Sequence, residues 1–124
     1  MNKPISPFAP ERELEACSPR CNPDLQLRVD EMKADQLAGL FKALSHPVRL
    51  QMLDLISQGG GEVCVCDLER HFDLTQPTLS HHIKVLREAG LIQSEQNRVW
   101  VFHRANISTL QQMRELLGQF IGLS

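Results

Sequence analysis

Apolar residues recur at helical spacing in several segments, a short break separates two of them, and two apolar runs flank a polar turn. Together these predict a mainly α fold, a winged helix-turn-helix with a two-stranded β-hairpin as its wing. Leu37, Leu40, Phe41 and Leu44 follow the i, i+3, i+4, i+7 rule and predict a first helix from Asp30 to Leu44. Ser45-His46-Pro47 breaks it. Pro47 starts a second helix with Val48, Met52, Leu55 and Ile56 as its stripe, and Gly59-Gly60-Gly61 ends it. A short helix is expected from Val65 to His71, followed by a turn at Phe72-Asp73-Leu74. Thr75 caps a longer helix with Pro77 in its first turn, Leu79, Ile83 and Leu86 facing inward, and Ala89-Gly90 at its close. Leu91-Ile92 and Val99-Trp100-Val101-Phe102 flank the polar Glu95-Gln96-Asn97-Arg98, the pattern of a hairpin. Asn106 caps a last helix bearing Leu110, Met113, Leu116, Leu117 and Phe120, an apolar face broader than a small monomer needs. A dimer held by the first helix and this last helix is expected.

The chain has 124 residues, which is one domain by length. Five of its seven prolines fall within the first 23 residues, so residues 1–28 are expected to form a flexible arm without a long helix. Residues 29–124 are expected to form the DNA-binding and dimerisation domain. No apolar run approaches the roughly 20 residues of a membrane span, and the first residues hold no secretory h-region. The expectation is a cytoplasmic protein with no membrane partner. In that reducing compartment, four cysteines read as working thiolates rather than disulfides.

Charge does not advertise nucleic acid. The net charge is −2, and residues 62–88 carry five acidic groups against three basic ones. The pattern of the fourth helix does. Gln76, Thr78, Ser80 and His81 gather near its N-terminal end, beside the cap Thr75. Gln bonds adenine bidentately, Ser and Thr bond several base edges, and a helix N-terminus favours phosphate. Arg98 at the hairpin tip reaches a minor groove or a phosphate. With so little positive charge, usable affinity for double-stranded DNA requires a dimer presenting two such helices.

The cysteines form two pairs, Cys17-x-x-x-Cys21 and Cys64-x-Cys66. Residues two apart in a helix interior point to nearly opposite faces. In a loop and first turn, Cys64 and Cys66 can converge, and a helix N-terminus favours the thiolate. Pro19 makes residues 17–21 a turn that can bring its two sulfurs together. Thiolate sets select soft, thiophilic ions over magnesium or calcium. The alternative for Cys64 and Cys66 is burial as small hydrophobes beside Val63 and Val65.

Three stretches in order carry a family resemblance: Phe41-Lys42-Ala43-Leu44-Ser45-His46-Pro47-Val48-Arg49-Leu50, then Glu62-Val63-Cys64-Val65-Cys66-Asp67-Leu68, then Thr75 to Leu91. Over residues 35–104 the chain resembles the ArsR/SmtB metal- and metalloid-responsive repressors, most closely the arsenical ones. The resemblance implies a dimer that covers an operator until an effector releases it. It implies DNA-reading roles for Thr75, Gln76, Thr78, Ser80 and His81, with Arg98 at the wing tip. It implies that C-V-C-D-L is the sensor, with As(III) or Sb(III) as effector and no permanent cofactor. Some arsenical repressors place a third cysteine where this chain has Glu69, so the third sulfur falls to Cys17 or Cys21, from the other subunit. The cadmium- and lead-sensing branch pairs the same two motifs as four sulfurs, and Cd(II) or Pb(II) remains the alternative effector. The zinc-sensing branch uses His and carboxylates on the last helix, where residues 106–124 offer no His and only Glu115.

No catalytic constellation is present. Gly59-Gly60-Gly61 lacks the Lys-Ser/Thr of a phosphate loop, there is no G-x-S-x-G, and the five histidines form no metal-binding pair. A regulator rather than an enzyme is expected. The competing readings are a thiol redox switch at Cys64 and Cys66, and an interaction module built on the last helix.

Overall fold

The computed structural model describes residues 20–122. They fall into two units, one reaching to Asp30 and one starting at Glu31. Among the described residues of the first unit there is no helix or strand. Asn22 Oδ1 accepts the Asp24 N–H at 3.0 Å and closes a turn at Pro23. Cys21 is exposed there, and Cys17 lies outside the described residues.

The second unit runs α1 (Glu31–Leu44), α2 (Pro47–Gln58), α3 (Val65–Glu69), α4 (Gln76–Ala89), β1 (Ile92–Asn97), β2 (Trp100–Ala105) and α5 (Ile107–Phe120). This is the expected winged helix-turn-helix order. Its core joins Leu37 and Leu40 of α1, Met52 and Ile56 of α2, Leu79, Ile83 and Leu86 of α4, and Met113 of α5. These are the positions at which the helical repeat places apolar side chains.

The ends of the elements are chemically fixed. His46 begins α2 as its N-cap, its Nδ1 accepting the Val48 N–H at 3.1 Å, with Pro47 in the first turn. Gly59 follows α2 where a Cβ would collide with the Val63 side chain, so any larger residue would force Val63 to shift. Gly90 ends α4 at φ 89°, and Leu91 N–H reaches back to the Leu86 carbonyl at 3.0 Å. Asn106 caps α5 through Oδ1, which accepts the Thr109 N–H, while its Nδ2 donates to the Gly90 carbonyl at 3.0 Å.

Two boundaries differ from the sequence reading. The short helix α3 stops at Glu69, two residues before His71, and leaves Glu69 at its C-terminal end. In the hairpin, Ile92 pairs with Ala105 through to Asn97 with Trp100, so Glu95, Gln96 and Asn97 belong to β1. The turn is Arg98-Val99 alone. Arg98 takes φ 61°, the left-handed backbone that two-residue hairpin turns use to match strand twist.

Candidate metal centre and nucleic-acid interface

Cys64 is the N-cap of α3 and Cys66 its second residue. That placement escapes the divergence of a helix interior: the two Cα atoms lie 5.3 Å apart and the sulfurs are joined as a disulfide. The sequence reading expects thiolates. The structure holds the oxidised form of the same dithiol, and the convergence it requires is the one expected of a loop and first turn. The Cys64 N–H donates to Asp67 Oδ2 at 3.1 Å, and Cys64 Sγ lies 3.4 Å from that oxygen. The donor atoms of Cys64, Cys66 and Asp67 all fall within 4.8 Å of one another. Two sulfurs and a carboxylate suit a soft or borderline ion, not magnesium or calcium. Cys64 is buried and Cys66 exposed, so the pair opens to solvent on one side.

The dithiol borders a cleft of about 310 Å³ whose walls include Gln76 of α4 and Trp100, Val101 and His103 of β2. Backbone joins these parts, since the His103 N–H donates to the Val63 carbonyl at 2.8 Å, one residue before Cys64. The His103 ring is buried against Ser94, with Nδ1 to Oγ 2.7 Å. Burial, and then the Arg87 charge, hold its pKa below the ordinary histidine value.

The second helix of the motif, α4, buries Leu79, His82, Ile83 and Leu86 and leaves Gln76, Thr78, Ser80 and His81 exposed. Thr75 is partly committed to the cap: its Oγ1 accepts the Thr78 N–H and lies 2.9 Å from the Thr78 hydroxyl. Behind the exposed face, Arg49 donates to the Ala43 carbonyl and, at 3.2 Å, meets His82 Nδ1. A guanidinium has only donors, so Nδ1 accepts and His82 carries its proton on Nε2. The His46 ring stands 4.6 Å from the His82 ring and that of His81 5.8 Å. Burial first, then the charges of His46, Arg49 and His81, lower the His82 pKa.

A family model described as "Bacterial regulatory protein, arsR family" matches residues 46–94, from the α2 cap through α4 into β1. The "Biofilm growth-associated repressor" of Xylella fastidiosa is 37% identical over 83 residues, which is 67% of this chain and 71% of that protein. The chain belongs to the arsR family. The "Arsenical resistance operon repressor" of Staphylococcus xylosus is 47% identical over 66 residues, 53% of this chain and 62% of that repressor, so the chain spans less than two thirds of its length. The crystal structure of "the transcriptional repressor BigR" from Xylella fastidiosa superposes with a TM-score of 0.56 at 36% identity, covering 73% of this chain and 91% of that one. As an arsR-family protein, the chain is a winged helix-turn-helix DNA-binding regulator of transcription and not an enzyme. No helix among the described residues is long and apolar enough to cross a membrane.

Against this arsR-family frame, the structure brings Cys64 and Cys66 together and exposes Thr75, Gln76, Thr78, Ser80 and His81 on α4, with Arg98 exposed in the wing turn. Cys21 belongs to the other unit. Sequence reasoning missed Asp67 as a donor beside the sulfurs, although it stands inside the C-V-C-D-L motif. It also missed the Arg49–His82 contact, whose signal was a histidine at an inward helical position, three residues after Leu79 and four before Leu86.

Proposed function

We propose that this chain is a homodimeric repressor that leaves its operator when trivalent arsenic or antimony bonds to the thiolates of Cys64 and Cys66. The observation that carries the reading is the convergence of both sulfurs on the first turn of α3, the first helix of the DNA-binding motif. Two thiolates satisfy two of the three bonds of trivalent arsenic. Cys17 or Cys21 of the partner subunit supplies the third sulfur, and the name of the Staphylococcus xylosus relative supports the choice of arsenic. Cadmium or lead, taking four sulfurs with both arm cysteines, is the alternative effector. On the DNA side, Thr75, Gln76, Thr78, Ser80 and His81 face the major groove and Arg98 contacts the backbone or minor groove. The left-handed backbone at Arg98 supports this, because a non-glycine residue in that region costs energy that a functional side chain justifies.

To take a complex from nearly full to nearly empty, the effector must favour the released state by about 5.5 kcal/mol. Thiolate–metal sites reach about 10 kcal/mol or more in total, so the required preference is roughly half of what such a site can supply. The test uses DNA selected for binding by the reduced protein, followed by fluorescence anisotropy against arsenite, antimonite, cadmium and lead. Cys64→Ser and Cys66→Ser should hold the DNA as the parent does and stay bound when arsenite is added. Release of either variant by arsenite at the parental concentration would overturn the reading. A second reading, a thiol redox switch, is favoured by the Cys64–Cys66 disulfide. Release by a disulfide-forming oxidant, with none by arsenite, would select it.

A further inference from the structure

We infer that the cleft beside Cys64 and Cys66 takes the organic substituent of a monosubstituted trivalent arsenical whose arsenic bonds to both sulfurs. This deepens the metalloid reading above and rests on it. The dithiol forms one wall of the cleft, and the wing supplies an apolar and aromatic wall in Val99, Trp100 and Val101. Trivalent arsenic makes three bonds. When two go to Cys64 and Cys66, the third leads away from the pair, and the space adjoining the pair is this cleft. A carbon substituent suits the wall of Val99, Trp100 and Val101, while Glu69, Gln76 and His103 line the rest of the cleft. Size agrees. A cavity of about 150 Å³ suffices for benzene, and the cleft holds about 310 Å³. An organic group in place of the third sulfur also removes the need for a cysteine from the arm.

The chemistry balances without a change in arsenic oxidation state. The disulfide is first opened by a phosphine, which gives two electrons and becomes the phosphine oxide by taking oxygen from water, leaving two thiols. An arsonous acid, R–As(OH)₂, then exchanges two As–O bonds for two As–S bonds. Each thiol proton leaves with a hydroxide as water, and the As–C bond is untouched.

Trp100 is the only tryptophan in the chain and lines the cleft, so its emission reports directly on what enters. The full chain, reduced with a phosphine and then freed of it, is titrated with arsenite, methylarsonous acid and phenylarsonous acid. A Cys-Val-Cys peptide gives the intrinsic preference of an unhoused dithiol. Relative to that peptide, the protein should favour phenyl over methyl by about tenfold, the scale of one good aromatic contact. In Trp100→Ala, followed by calorimetry, that preference should vanish. The double variant Cys17→Ser/Cys21→Ser should lose at least about tenfold in arsenite affinity and bind both organic arsenicals as the parent does. A phenyl preference no greater than the peptide's, or one unchanged in Trp100→Ala, overturns the inference and leaves the metalloid reading standing. So does loss of the organic arsenicals in the double variant. If no arsenical binds, or if Cys64→Ser/Cys66→Ser binds them equally, the metalloid reading fails and the inference with it.

Discussion

His82 turns one residue into a joint between three helices. Through Arg49 of α2 it reaches the Ala43 carbonyl of α1, and it is itself part of α4, next to His81 on the outer face. The contact requires a neutral ring, since a protonated Nδ1 would point a proton at a guanidinium. Its folded pKa lies below that of the unfolded chain, as does that of His103. For a depressed histidine the unfolded state binds more protons between the two values, so stability is complete above the unfolded pKa and declines as pH falls through it. The melting temperature should therefore drop as pH is lowered below about 6.5, the ordinary histidine value. His82→Asn, whose Oδ1 offers Arg49 an uncharged acceptor, should flatten part of that decline and leave the share of His103. Thermal scans between pH 5.5 and 8 check this, and an unchanged slope in the variant would remove His82 from the account. Sequence alone makes such a residue hard to read. A histidine scores as polar, and only its place between Leu79, Ile83 and Leu86 marks it as inward.

At the scale of elements, the proposed reading gives α4 and the hairpin different kinds of DNA contact, so their variants should differ in kind. Gln76→Ala removes a group able to pair with a base edge, and should cost about 1–3 kcal/mol of discrimination at one position of the operator. Arg98→Ala removes charge, and should weaken binding almost evenly across sequences while lowering the salt dependence by about one counterion. Binding to a set of single-base operator variants at two salt concentrations separates the two. A position-specific loss in Arg98→Ala would make the wing a reader of sequence. The helices were legible because period and punctuation agree: Pro47, Thr75, Gly90 and Asn106 each sit at an end that the apolar repeat also marks. The hairpin turn was misplaced because Val99 looks like strand and Asn97 like turn. Arg98 decides the matter through a left-handed backbone that its side chain does not announce. The end of α3 escaped for a related reason, since nothing between Glu69 and Phe72 is a conventional stop signal.

For the whole molecule, the last helix carries the argument. Met113 is buried in the core, yet Ile107, Leu117, Phe120 and Ile121 stay 59%, 49%, 64% and 72% exposed. A band of this kind is covered by a second copy in the proposed dimer. Phe120→Glu should convert the protein to a monomer in sedimentation velocity at micromolar concentration, with helical content retained and DNA affinity sharply reduced. A parent protein that sediments as a monomer would refute the arrangement. The candidate metal site was legible as a cysteine pair and invisible as a place, because neither the nearby carboxylate of Asp67 nor the wall provided by Trp100 follows from spacing. One feature of the fold bears on the DNA as much as on the protein. Asn106 ties the carbonyl at the end of α4 to the first turn of α5, and its own N–H bonds Leu91 at 2.9 Å. In the proposed dimer the reading helix and the pairing helix thus meet at a corner braced by three hydrogen bonds of Asn106. In a dimer, that corner fixes the angular phase of the two half-sites. One extra base pair at an operator's centre turns its halves out of step by about 35°, and a corner so braced has no give with which to follow.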